Sequence, residues 1–471
     1  VQKKQANTER DIVLDILTEH EKTGVFSHVI VKRTLDRYAS LPLAQRSFIK
    51  RLSEGTIERQ KEMDGIIESM LRRPDTVIKT TVRCLLRMSI YQIYYMDSVP
   101  DFAACDEAVK ILRKRHMHEY TGFVNGVLRS VCRQKQAGAG PAGMNQPGAA
   151  AEGDGFGRRN SGNAAADSAQ TGLIPDFVRQ MWLDEFGEKN TEELIQAIQK
   201  IRPVCIRFDS RTGPEERKKI IEDIRALGAR AEQGRWLPEC WYLSHIPSVM
   251  SLPGFMEGKW TVQDESSQMA AHAAAPECLP DGQPLILDLC AAPGGKTMHL
   301  ASLRPDARII ACDVSVKKTD IIRANIKRMR CANVNVQERD ATIFEPSFAQ
   351  QADLVICDLP CSGLGVMTRK RDIGSNITPE RITQLVTLQK KILQNAVQYV
   401  KPGGVLLYST CTIDPMENEK VSSYISGRLG LVPDPVGDFL PEGLPGVKGH
   451  QVQLLPSVHG TDGFFMARFR R

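Results

Sequence analysis

The run Leu285-Ile286-Leu287-Asp288-Leu289-Cys290-Ala291-Ala292-Pro293-Gly294-Gly295-Lys296-Thr297 decides the fold. Leu285–Leu289 is a short apolar run with the length of a buried strand. Gly294 and Gly295 then permit a tight turn and a close backbone approach to a ligand. A helix is predicted from Thr297 to Ser302. The glycine spacing is neither that of a dinucleotide loop nor that of a P-loop. Downstream, Arg308–Cys312, Val334–Gln337, Leu354–Cys357 and Val405–Tyr408 read as strands, and Lys317–Met329 and Pro379–Val400 as helices. Strands alternating with helices at this spacing predict βαβ units and a parallel sheet covered by helices. Ligands of such sheets sit beyond the carboxyl ends of the strands.

Those ends carry chemistry. The second strand runs into Asp313, about 20 residues past the glycine turn, where an acid can hydrogen-bond ribose hydroxyls. Asp340 follows the third strand and could receive an amino group or a backbone amide. Each acid alone could equally be a helix N-cap. Together with the glycine turn they favour an adenosine-containing ligand. The fourth strand runs into Asp358-Leu359-Pro360-Cys361-Ser362-Gly363, and the fifth into Ser409-Thr410-Cys411-Thr412, with Glu417-Asn418-Glu419 after it. One cysteine here would be ordinary packing. Two on the ligand rim, one beside an acid, point to a thiolate nucleophile. These residues alone do not choose between Cys361 and Cys411.

The rest of the chain frames this region. Before Cys132 no alternating strand pattern occurs. Val82–Tyr95, Ala103–Leu112 and Phe123–Val131 have helical spacing, as do Ile12, Val13, Ile16 and Leu17, and Asp101 could cap a helix. Residues 136–172 contain 10 Ala and 9 Gly in 37 positions. So little apolar surface cannot offset the entropy of ordering, so a flexible linker is expected. Pro175–Phe186, Glu192–Lys200 and Pro214–Leu227 read as helices and Val204–Phe208 as a strand, a small α+β piece.

Composition narrows the class. The chain has 471 residues, 42% hydrophobic and 25% charged, enough for several packed cores. No apolar run approaches the ~20 residues of a membrane helix. Val1–Glu19 is charged from Lys3 onward and lacks the core of an export signal. Twelve cysteines, scattered singly from Cys84 to Cys411, fit a reducing, cytoplasmic setting rather than a disulfide framework. With no Cys-x-x-Cys or His-x-x-x-His pair, no metal site is expected. The net charge of +6 is uneven. Residues 1–135 hold 24 basic and 17 acidic side chains, a net of +7, and the remaining 38 and 39 net −1. The excess reads either as a solvated helical surface or as a polyanion-binding module.

The strings Leu287-Asp288-Leu289-Cys290-Ala291-Ala292-Pro293-Gly294-Gly295-Lys296-Thr297, Asp358-Leu359-Pro360-Cys361-Ser362 and Ser409-Thr410-Cys411-Thr412 resemble the motifs of RNA (cytosine-5) methyltransferases of the NOL1/NOP2/Sun family. Gln263-Asp264-Glu265-Ser266-Ser267-Gln268 is similar to the segment before that family's cofactor loop, and Asp462-Gly463-Phe464-Phe465-Met466-Ala467 to its final strand. The likeness runs from about Leu173 to Arg471. Phe123-Val124-Asn125-Gly126-Val127-Leu128-Arg129 resembles the NusB-type helical RNA-binding domain. NusB-like helices before this catalytic domain are the arrangement of members acting on small-subunit (16S) ribosomal RNA. Two departures stand out: Asp209, where the family usually has Asn, and an unusually long linker.

The resemblance implies an all-α NusB-like domain at 1–135, the linker at 136–172, a small α+β subdomain at 173–259 and an α/β Rossmann-like class I methyltransferase domain at 260–471. It implies S-adenosyl-L-methionine as co-substrate, lying along Cys290, Ala291, Ala292, Pro293, Gly294, Gly295 and Lys296. Asp313 would meet the ribose and Asp340 the adenine end, with Asp358 between cofactor and substrate. Cys411 would attack C6 of cytosine, Cys361 would assist product release, and Asp358 would hold the cytosine edge. The Pro-Cys cysteine is the nucleophile of DNA cytosine-5 methyltransferases, which makes Cys361 the rival. Lys296 could face RNA phosphate or a structural carboxylate, and Arg369, Lys370 and Arg371 could meet phosphate or solvent. The expected partner is small-subunit ribosomal RNA, with no membrane and a monomeric chain. The competing readings are the same chemistry on transfer RNA or another ribosomal site, and a non-catalytic NusB-like assembly factor.

Overall fold

The computed structural model describes residues 8–25, 27–38, 40–71, 76–137, 174–200, 202–246, 248–370 and 373–471. The expected linker falls, from residue 138 on, outside the described residues. The chain forms two compact units that divide between Pro175 and Asp176.

The first unit is helical, with helices Glu9–Thr23, Ser27–Arg37, Leu43–Glu58, Gln60–Ser69, Thr80–Tyr95, Asp101–Lys114 and Thr121–Gln136 among its described residues. Thr8 and Asp11 form a reciprocal capping box at the first of these. Thr80–Tyr95 is the central helix and is buried from Cys84 to Ile93. Its one buried cation, Arg87, is held by Asp64 at 2.7 Å and Glu21 at 2.9 Å. Arg59, Lys114, Arg115 and Lys135 are likewise paired with acids of this unit. Part of the basic excess therefore serves the fold. Asp101 does not cap its helix. It is the first helical residue, behind Pro100 at the N-cap, and its carboxylate accepts from Lys135 at 2.9 Å.

The second unit opens with the helical stretch Asp176–Gln199, broken at Gly187 (φ 77°, ψ 168°) into two limbs like those expected. A four-stranded antiparallel sheet follows, from β1 (Val204–Phe208), β2 (Arg230–Gln233), β3 (Cys240–Ser244) and β4 (Trp260–Val262), in the order β2-β3-β1-β4. Helix Pro214–Ala226 covers it through Ile220, Ile221 and Ile224.

The main sheet comprises β5 (Leu285–Asp288), β6 (Arg308–Asp313), β7 (Val334–Glu338), β8 (Ala352–Asp358), β9 (Val400–Thr410), β10 (Val432–Pro433), β11 (Val447–Lys448), β12 (Gln451–Leu454) and β13 (Phe464–Arg470). The order is β11-β12-β13-β9-β8-β5-β6-β7, with β10 beside β13. Strands β5 to β9 are mutually parallel, with helices Gly295–Leu303, Val316–Met329 and Pro379–Tyr399 between them. The sheet is nevertheless mixed. The last strand, β13, runs back antiparallel along β9, and β12 and β11 extend that edge antiparallel. The Rossmann-like expectation holds, and the wholly parallel sheet does not. From β5 the chain winds first towards β6 and β7, then to β8 and β9 on the other side. That reversal opens a crevice at the carboxyl ends of β5 and β8. No described helix is long and apolar enough to cross a membrane.

Candidate active site

The loop after β5 is threaded between two neighbouring strands. Leu289 N–H donates to Ile356 of β8 (3.1 Å), and Ala291 N–H to Cys312 of β6 (2.9 Å). Gly294 has φ 100°, a conformation that side-chain-bearing residues rarely adopt, and it turns the chain into helix Gly295–Leu303. Asp288, fully buried beneath the loop, accepts from Thr297 Oγ1 at 2.6 Å and ties the first helical turn to the strand end. Burial pushes its carboxyl up to about 7.

Asp313 ends β6 and meets the same loop. It accepts from Ala292 N–H (3.0 Å), Val314 N–H (2.8 Å) and Lys318 Nζ (3.0 Å). Each carboxylate oxygen can accept more than one bond, so hydroxyl groups can still be received there. Asp340 is exposed and accepts from Thr342 N–H at 2.8 Å, and the Thr342 bonds hold its carboxyl below the usual range. It rims a cavity of about 190 Å³ walled by Leu289, Cys312, Phe344, Phe348 and Tyr399. An apolar, aromatic slot with carboxylates at its mouth suits a flat nucleobase and its ribose. The residues present therefore fit an adenosine group.

The other cysteine-bearing ends meet beside this loop. In register, Asp358 of β8 faces Ser409 of β9. Asp358 accepts from Ser409 Oγ at 2.8 Å and from Lys296 Nζ at 2.7 Å. Of the two partners expected for Lys296, the structure thus has the carboxylate. Its ammonium also lies 4.9 Å from the Phe464 ring centre. Cys361 and Cys411, 50 residues apart, bring their sulfurs to 3.4 Å, and both are partly exposed. The Cys361 thiol bond lowers the Cys411 thiol below its ordinary value, with Lys370 and Lys296 acting the same way. Cys361 is raised by that same bond, by burial, and by Glu417 and Asp358. Their shared hydrogen bond makes the sulfurs unequal, with Cys411 the easier to ionise, while burial and Asp358 oppose ionisation of both.

Arg369 has a role that neither reading anticipated. It is not a freely solvated charge. Its guanidinium bridges Asp264 (2.8 Å), the N-cap of helix Glu265–Ala273, and Asp462 (2.7 Å), just before β13. Arg371 lies outside the described residues. Asp209, the departure from the family pattern, is buried and forked by Arg211 at 2.7 and 2.9 Å.

Two features escaped sequence reading. Gln389 faces the core of Pro379–Tyr399 and donates to Pro360 O, next to Cys361, at 2.9 Å. Its signal was a polar residue in the apolar stripe Ile382, Leu385, Val386, Ile392, Leu393. Glu239, His272 and His299 bring three possible metal ligands within 4.8 Å of one another. There, however, His272 Nε2 already meets Glu239 at 2.6 Å, and the buried Arg207 guanidinium adds positive charge beside them.

Comparisons with known proteins bear on the family and the fold. Residues 278–470 match the 16S rRNA methyltransferase RsmB/F family, and residues 7–133 match the NusB family. The chain is 30% identical over 472 residues to the probable ribosomal RNA small subunit methyltransferase B of Bacillus subtilis, covering 98% of each chain. It is 30% identical to the ribosomal RNA small subunit methyltransferase B of Pasteurella multocida, over 87% of this chain and 84% of that one. The solved structure of PH0851 shares the fold at a TM-score of 0.78 and 21% identity, covering 100% of both chains. NSun6 from Pyrococcus horikoshii with SFG, also 21% identical, does so at 0.54 over 63% of this chain and 98% of that one. Glycine turn, paired sulfurs and helical first unit thus occur together in a chain that belongs to the ribosomal RNA small subunit methyltransferase B family.

Proposed function

We propose that this methyltransferase transfers a methyl group from S-adenosyl-L-methionine to C5 of a cytosine in small-subunit ribosomal RNA, through a covalent cysteine–C6 adduct. The observation that carries the reading is the 3.4 Å sulfur pair at the ends of adjacent parallel strands, beside the Lys296–Asp358 pair. The aromatic slot near Asp340, the loop from Cys290 to Lys296 and Asp313 together suit the adenosine part of the co-substrate. When bound, the co-substrate supplies an electrophilic methyl group.

Cytosine C5 is a poor nucleophile on its own. Addition of the Cys411 thiolate to C6 moves electron density to C5, which forms the new carbon–carbon bond. Loss of the C5 proton and departure of Cys411 then restore the ring. Splitting one difficult step into two easier ones is the gain from covalent catalysis. Lys370 and Lys296 favour the thiolate form of Cys411. Cys361, kept as a thiol, assists release, and Asp358 holds the cytosine edge. The target base must lie in a loop or be extruded to reach sulfurs at this depth. We assign 1–135 to RNA docking through basic side chains not already paired within the unit, 136–172 to a linker, 173–259 to a subdomain whose sheet runs on through β4 to Val262, and the rest of 260–471 to catalysis.

Two variants test the reading. Cys411→Ala abolishes both methyl transfer and any covalent protein–RNA species on a denaturing gel. Cys361→Ala accumulates that species. The opposite pattern would reverse the assignment, and a covalent species from neither Cys411-intact protein would sink it.

A further inference from the structure

Glu417 and Asn418 are fully buried behind the two thiols, and the proposed reaction uses neither. Glu417 accepts from the Ser362 N–H at 2.9 Å and from Gln389 Nε2 at 2.9 Å. The same Gln389 amide donates to Pro360 O at 2.9 Å. Both neighbours of Cys361 are thereby held. Asn418 accepts from Thr410 Oγ1 at 2.6 Å and donates to Thr412 O at 3.1 Å. Both neighbours of Cys411 are held by it. A 2.6 Å contact between Ser362 Oγ and Thr412 Oγ1 closes the ring between the two segments.

We propose that Glu417 and Asn418 are the positioning pair for the two thiols. Asn418 fixes the segment bearing the nucleophile. Glu417 fixes the segment bearing Cys361 and, through its carboxylate charge, keeps Cys361 a thiol. The assignment rests on the reading that Cys411 attacks and Cys361 assists release.

The residue types fit the task. Glu417 faces two donors, and a carboxylate is an acceptor on both oxygens. Both 2.9 Å bonds fall on Oε2, so a glutamine oxygen placed there could still accept them while the charge is lost. A buried carboxylate is costly, and here burial, with Asp414 nearby, pushes Glu417 up to about 7. The other groups facing it are Cys361, Ser362, Gln389 and Tyr408, whose hydroxyl donates to the Glu417 carbonyl. No cation stands among them to offset the charge, so its field falls on Cys361. Lys296 and Lys370 act instead on Cys411.

The experiment compares Glu417→Gln and Glu417→Asp in the full chain by the pH dependence of iodoacetamide alkylation at each cysteine, read by mass spectrometry. Glu417→Gln raises Cys361 alkylation at pH 8 by at least about threefold, half a pH unit in midpoint. Glu417→Asp, which keeps the charge, leaves the midpoint high. Equal profiles for the two variants would overturn the electrostatic role. If Glu417→Gln fails to fold, the wild-type chain decides: Cys411 must be alkylated at lower pH than Cys361, and the reverse order overturns the proposal. Asn418→Ala slows single-turnover methyl transfer without changing the Cys361 profile, and an unchanged rate overturns its positioning role. Adduct trapping by Cys361→Ala is run alongside. A trapped adduct with no effect at Glu417 sinks the positioning role alone, and no trapped adduct sinks the catalytic reading itself.

Discussion

Replacing Arg369 by glutamine tests the most unexpected contact in the catalytic unit. The guanidinium joins Asp264 and Asp462, whose side chains are only 9% and 4% exposed. Glutamine keeps length and polarity but leaves two buried carboxylates facing each other without a cation. Removing one partner of a fully buried pair costs about 3–5 kcal/mol. Arg369 itself is 30% exposed, so solvent screens part of this and about 2–4 kcal/mol is expected. At roughly 2–4 °C per kcal/mol for a unit of this size, the melting temperature falls on the order of 4–16 °C. The loss depends on pH in a defined sense. Asp462 is already pushed up to about 7 by burial and by Asp264, even with Arg369 present. Without the cation Asp462 rises further, and Asp264 loses the charge that helps to hold it below its ordinary value. A raised carboxyl destabilises increasingly as pH climbs from the unfolded towards the folded pKa. The deficit is therefore smaller near pH 5 than near pH 8. Thermal unfolding of wild type and variant at both pH values measures it. Equal melting temperatures together with weakened RNA binding would refute the structural role and restore a phosphate contact for Arg369.

Three further outcomes are expected. Asp313→Ala removes a charged acceptor at the end of β6 and the Ala292 contact, and weakens S-adenosyl-L-methionine binding by about 10–100-fold in calorimetry. Gly365→Ala destabilises the catalytic unit by roughly 2–4 kcal/mol in denaturant unfolding. A Cβ there runs into the carbonyl of Gly463 and disturbs the bonds from Gly365 N–H to Cys411 O (3.1 Å) and from Gly463 N–H to Gly365 O (2.8 Å). RNA affinity falls linearly on a log–log plot against salt, at roughly 0.7 per phosphate contacted in single strands, and a flat plot contradicts basic docking.

The main sheet was legible because its parallel strands are short, apolar and separated by helices of clear period. Expected ends such as Arg308–Cys312 and Lys317–Met329 lie within one residue of those observed. The strand-end residues were legible for the same reason, since a strand's carboxyl end fixes the rim on which Asp288, Asp313, Asp358 and Cys411 stand. Strands β2 and β3 were missed. They are short, partly polar strands of a small sheet, β2 at its edge and β3 inside it, with burial too irregular to show a period of two. The reversal of β13 was invisible because strand direction is set by how the connecting segments return, not by the strand's own residues.

The partners of buried charges follow the same logic. A run such as Arg369-Lys370-Arg371 looks like a solvent or phosphate face because composition reports charge without its counter-charge. Arg369 finds its partners 105 and 93 residues away. Gln389 likewise reaches Glu417 only because helix Pro379–Tyr399 packs over the end of β9. Sequence patterns register a side chain's own period, and pairing across the fold leaves no period to read. The most useful trace is an exception, a polar residue in an apolar stripe. Gln389 is such a residue, and following it inward leads to the carboxylate behind Cys361.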